Sequence, residues 1–137
     1  MTERTLVLIK PDGVERGLTG EILRRVEAKG YVITRLTKLD AAPDQLAAHY
    51  SEHEGKPFYQ PLVDFMLSGP VVAAVVEGDE VIKGFRSLAG QTDPTTAAPG
   101  TIRGDLGRDW GVKVQKNLVH GSDSVESAER EISIWFG

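Results

Sequence analysis

The chain has 137 residues, 40% apolar and 26% charged, a balance that suits one globular domain with a substantial core and argues against disorder. Its 20 acids outnumber 16 dispersed lysines and arginines for a net charge of -4, so nucleic acid is not expected as a main partner. No cysteine is present, which removes disulfides, thiol nucleophiles and Cys-ligated metals; the opening MTERTLVLIK has too short an apolar run for a signal peptide, and no stretch reaches membrane-spanning length. A cytoplasmic protein without a membrane partner is expected.

Thr5 to Ile9 (TLVLI) reads as a central strand that ends in a turn at Lys10-Pro11-Asp12-Gly13. Gly20 to Lys29 carries Ile22, Leu23 and Val26 at helical spacing, with Gly30 as terminator, and Tyr31 to Leu39 reads as a second strand. After Pro43 a short helix holds Leu46, His49 and Tyr50. A second short helix beyond Gly55-Lys56-Pro57 carries Phe58, Leu62, Phe65 and Met66 on one face. Pro70 introduces VVAAVVEG, the most apolar stretch and a buried third strand; Asp79 is expected to cap a helix bearing Val81, Ile82, Phe85 and Leu88, with Arg86 just off that stripe. From Gly90 to Gly111 periodicity is lost, and compact domains rarely keep such loops without function. A segment of this kind is expected to lean on neighbouring subunits between Ala97 and Arg103. Val112 to Val119 is expected as a fourth strand. Ser124 to Trp135 is expected as a last helix facing inward through Val125, Ala128, Ile132 and Trp135. Alternating strands and helices leave two folds open: a parallel doubly wound sheet, or a split sandwich with an antiparallel sheet.

The chemistry centres on histidine. His49 and His53, in HYSEH, would share a helical face, but the acid is misplaced for H-E-x-x-H and no third ligand is evident, so no metal site is assigned. His120, in NLVHGSDS, ends a strand beside a Gly-Ser turn and a helix start, where a side chain can face a cleft and backbone N–H groups favour anions. Groups suited to an anion recur at element ends and in the long loop: Lys10, Arg86, Thr92, Arg103 and Asn117. Several fixed donors suit a phosphorylated substrate. Neither G-x-x-x-x-G-K-[ST] nor G-x-G-x-x-G occurs, so phosphate would be held by side chains.

Taken in order, TLVLIKPDG, HYSEHEGKPF, SGPVVA, LAGQTDP, PGTIRGD and NLVHGSDSVESAEREI resemble the signatures of the nucleoside diphosphate kinase family over the whole of residues 1–137. The resemblance implies a single domain with the α/β (α+β) ferredoxin-like sandwich, a four-stranded antiparallel sheet covered by helices. It implies that His120 becomes phosphorylated by a nucleoside triphosphate, mainly ATP, and passes the phosphoryl group to a nucleoside or deoxynucleoside diphosphate by a ping-pong route. Lys10, Arg86, Thr92 and Arg103 would then contact phosphates, and Lys10 with Asn117 the sugar. Phe58 would stack on the base near Leu62. Tyr50 would border His120, whose ring Glu131 would hold with support from Ser122. Magnesium would arrive on the nucleotide, and the assembly would be a homo-oligomer, a hexamer or a tetramer.

One departure is the link LGRDWGVKVQK between Asp105 and Asn117, a few residues longer than is usual in the family, which predicts a local bulge. Two rival readings are a hydrolase in which His120 activates Ser122 or Ser124, and a nucleotide- or nucleic-acid-binding interaction protein without turnover. They predict no phosphoenzyme.

Overall fold

The computed structural model describes residues 2–112 and 116–137. Four strands form one antiparallel sheet: β1 (Thr2–Ile9), β2 (Val32–Leu39), β3 (Val71–Asp79) and β4 (Val119–Gly121), in the spatial order β2-β3-β1-β4. Side chains of the two central strands alternate between two cores. Val7, Ile9, Val72 and Ala74 meet one set of helices, while Leu6, Leu8, Ala73 and Val75 meet another. Burial on both faces explains the unbroken apolar runs, which in sequence resemble those of a parallel sheet.

One layer holds Ile22 and Val26 of α2 (Thr19–Ala28), Val81 and Phe85 of α5 (Val81–Ala89), and Ile102 of α6 (Ile102–Leu106). The other holds Leu46 of α3 (Pro43–His49), Val63 and Met66 of α4 (Tyr59–Met66), and Ile132 and Trp135 of α7 (Val125–Phe136). This is the ferredoxin-like sandwich, and the antiparallel alternative is the one adopted.

Five local expectations change. The turn after Ile9 is a short helix, α1 (Pro11–Glu15), whose first residue is the proline that lacks the N–H a helix start cannot use. The fourth strand begins at Val119 rather than Val112, because Leu118 takes a left-handed conformation (φ 72°) that breaks extended chain; residues 113–115 lie outside the described residues. The long loop contains α6, capped by Thr101, whose Oγ1 accepts from the Gly104 N–H at 2.9 Å, and closed by the Gly100 N–H donating to Asp105 at 2.8 Å. Finally, Asp79 ends β3 and left-handed Glu80 stands at the cap of α5, while Val125 in α7 is half exposed.

Candidate active site

His120 is the middle residue of β4, paired in register with Leu8 on the central strand, so its backbone is fixed by the most buried part of the sheet. Its ring is fixed by Glu131, a buried residue of α7 two turns from the helix start: the Glu131 carboxylate lies 2.8 Å from Nε2 of His120. Ser122 donates to the same carboxylate oxygen at 2.7 Å and itself accepts from the Leu6 N–H at 3.1 Å. Burial pushes the Glu131 carboxyl up, but the bonds from His120 and Ser122 outweigh it and leave it below the ordinary range. A carboxylate there selects the tautomer with hydrogen on Nε2 and leaves the lone pair on Nδ1.

His120 borders a cleft of about 260 Å³ whose lining includes Lys10, Arg86, Thr92, Arg103 and Asn117. Lys10, at the end of β1, donates from Nζ to Asn117 Oδ1 at 2.9 Å, and the Asn117 amide donates to the Thr92 carbonyl at 3.2 Å. Burial, with the Arg103 charge nearby, pushes the Lys10 ammonium down to about 8. Arg103 projects from α6 and donates to three carbonyls: Asn117 at 3.0 Å, Gly90 at 2.9 Å and Val119 at 2.6 Å. It therefore ties the loop to β4 while its charge faces the cleft, and burial lowers it to about 10. Arg86 is exposed and reaches the Gly121 carbonyl at 3.4 Å. Among the described residues that line the cleft none is acidic, so its field favours an anion and offers no carboxylate cage for magnesium.

Behind the histidine lies a smaller recess of about 160 Å³ bordered by His49, Tyr50, His53, Arg86 and Glu131. Tyr50 is brought there, buried, with its ring 4.7 Å from that of His49 and its hydroxyl without a partner. Phe58 and Leu62 are not brought to the cleft. Phe58 is exposed ahead of α4, 5.1 Å from the His53 ring, and Leu62 is half buried against the α4 core.

His49, weighed in sequence only as one of a metal pair with His53, is a direct neighbour of His120. Its ring stands edge-on to that of His120 at 4.6 Å, and the Trp135 indole N–H donates to its Nδ1 at 3.1 Å. Ligand atoms of His49, His120 and Glu131 lie within 4.8 Å of one another. They do not suit a metal, because the Trp135 donor occupies Nδ1, leaves the proton on Nε2 and so denies an ion the second lone pair. The missed signal was Trp135 itself, since a buried indole N–H needs an acceptor. Asp12, which read as part of a turn, also lies close by: its carboxylate accepts from the Leu118 N–H at 3.1 Å.

The family model for nucleoside diphosphate kinase matches residues 3–137. The chain belongs to the nucleoside diphosphate kinase family. It is 62% identical over 137 residues to the nucleoside diphosphate kinase of Streptomyces avermitilis, covering 99% of this chain and 97% of that one. It is 61% identical to that of Mycobacterium avium, covering 99% and 98%. Among solved structures, a nucleoside diphosphate kinase from Halobacterium salinarum in complex with CDP superposes with a TM-score of 0.92 at 47% identity, covering 99% of this chain and 88% of that one. A family protein from Babesia bovis gives 0.91 at 47% identity, covering 98% and 88%. The chain is thus a phosphotransferase that exchanges phosphate between nucleoside triphosphates and diphosphates. Against a hydrolase stands the placement of its serines: Ser122 is wholly buried and bonded to Glu131, and Ser124 caps α7. No helix among the described residues is long and apolar enough to cross a membrane.

Proposed function

We propose that His120 is the nucleophile, and that the chain carries out the family's ping-pong exchange through it. The observation that carries this reading is the 2.8 Å bond between His120 Nε2 and the buried Glu131, in a residue that borders a cleft of lysine and arginines. The Nδ1 lone pair attacks the γ-phosphorus of a nucleoside triphosphate. The bond from that phosphorus to the bridging oxygen breaks, and its electron pair leaves with the nucleoside diphosphate. The phosphorylated ring keeps its Nε2 proton and a positive charge, which Glu131 neutralises. An oxygen of an acceptor diphosphate then attacks the same phosphorus and returns the electron pair to Nδ1.

Such a transition state spreads charge over phosphoryl oxygens, so positioning and fixed cations supply the catalysis. Lys10, Arg86, Thr92 and Arg103 take the phosphates, and Asn117 with Lys10 the sugar. Magnesium enters as part of the nucleotide substrate. Phe58, exposed beside His53 and outside the cleft, would stack on the base near Leu62, a contact that tolerates purines and pyrimidines alike. Ser122 supports Glu131, and Tyr50 walls the recess beside the phosphorylated ring. The working protein is a single-domain, cytoplasmic homo-oligomer, a hexamer or a tetramer, in which exposed Val32 and Leu36 of the edge strand β2 would be covered. Incubation with γ-labelled ATP tests the reading: label that is acid-labile, base-stable and chased onto an added diphosphate is expected. Release of free phosphate without protein label would overturn it.

A further inference from the structure

We propose that Asp12 is a positioning residue for the phosphotransfer, its buried carboxylate gripping the corner that leads into His120 and supplying the counter-charge for the Lys10 ammonium. The proposal rests on the reading of Lys10 as a nucleotide contact. Asp12 lies in the first turn of α1 and is 7% exposed. Its Oδ2 accepts from the Leu118 N–H at 3.1 Å, while the Lys10 N–H donates to the Leu118 carbonyl at 2.8 Å. Both peptide groups of Leu118 are thus held by the junction of β1 and α1. Leu118 needs such a hold, because a wholly buried leucine at φ 72° sits in a conformation that branched side chains avoid. One residue earlier, Asn117 receives the Lys10 ammonium at 2.9 Å; two residues later stands His120.

A structural clamp alone would not need a charge. Asparagine offers the same acceptor, and burying a carboxylate is costlier than burying an amide. Asp12 bears that cost, which pushes its carboxyl above the ordinary range against the opposing pull of Lys10, with Oδ1 inaccessible and without a hydrogen-bond partner. The charge has a use beside Lys10. Among the described residues, the titratable groups around that ammonium are Asp12 from α1, Arg103 from α6, Arg86 from α5 and His120 from β4, with His49 and Glu131 behind the histidine. Burial and Arg103 push Lys10 down, and Asp12 is the acid that pushes it back up. Without Asp12 the lysine would shed its proton at a lower pH and stop attracting phosphate.

Asp12→Asn in the full chain separates clamp from charge. Its melting temperature should stay near that of the parent, because the acceptor for Leu118 is kept. The alkaline limb of kcat/KM for ATP should move to lower pH by about one unit, the size expected when one close charge is removed. Asp12→Glu should leave that limb in place and lower kcat several-fold, because the longer side chain displaces Leu118. Should Asp12→Asn not fold, Asp12→Ser, whose hydroxyl also accepts, carries the same test. The Lys10 ammonium resonance, followed by NMR in nucleotide-free protein, reads the link without reference to turnover and should titrate at lower pH in the neutral variant. An unmoved limb or an unmoved resonance would overturn the proposal. A parent chain that forms no phosphohistidine while the Lys10 shift is seen would overturn the functional reading instead.

Discussion

His49 stays neutral because burial, with His120 beside it, pushes its imidazole down to about 3. The unfolded chain binds a proton there near pH 6.5, before the folded chain does, so folding stability falls as pH drops from about 6.5 towards 3. At pH 5 linkage assigns about 2 kcal/mol of that loss to this one residue. His49→Asn, whose carbonyl still accepts from Trp135, should show a flatter stability profile between pH 6.5 and 5 in urea titrations. A profile as steep as the parent's would place the acid sensitivity elsewhere. Glu131 adds a loss at lower pH: its carboxyl is held below the ordinary range, so its contribution is complete above the unfolded value and disappears as pH falls through the folded one. For catalysis, Glu131→Gln should lower kcat by about 10- to 1,000-fold with a small change in KM, as expected when charge support is lost in the transition state. Stopped-flow measurement of phosphoenzyme formation checks the direction. A KM effect alone would mean that Glu131 serves binding.

β4 presents His120 across a narrow gap to α5. A Cβ added at Gly121 would stand 2.5 Å from the Phe85 ring, so Gly121→Ala must displace either the helix or the strand that carries His120. It should cost about 1–3 kcal/mol by overpacking and lower kcat as well. Ser124→Ala is the control on the neighbouring helix: its Oγ accepts from the Ser127 N–H at 3.1 Å, and its loss should cost about 1 kcal/mol with kcat unchanged. Thermal melts with activity assays on the same samples distinguish the two. These elements were legible in sequence to different degrees. TLVLI and VVAAVVEG announced strands, but burial on both faces erased the alternation that would have marked the sheet as antiparallel. The resemblance, not periodicity, chose the sandwich. The start of β4 was misplaced because a leucine at positive φ leaves no mark in composition, and α6 was missed because five residues are too few for a helical period. His120, Lys10, Arg103 and Asn117 could be named from motifs. His49 could not, because its role depends on Trp135, 86 residues away.

Across the whole molecule, charge is sorted more sharply than the net value suggests: a chain of net charge -4 places no acid among the described residues that line the cleft beside His120. On the proposed reading, substrate recognition rests on phosphate and sugar, with the base left to stacking on Phe58, which is exposed outside the cleft. Purine and pyrimidine diphosphates should both act as acceptors, with kcat/KM differing by about 10- to 100-fold, the span allowed by stacking differences of roughly 1–3 kcal/mol. Strict use of one base would show that hydrogen bonds to base edges take part in recognition.

The direct measurement of the central claim is the site of the label. The chain is incubated with ATP, digested at alkaline pH and mapped by mass spectrometry, with phosphorus NMR assigning the ring nitrogen. Phosphate on Nδ1 of His120, lost upon addition of a nucleoside diphosphate, is the expected result. Phosphate on His49, His53 or a serine, or on Nε2 of His120, would contradict the account.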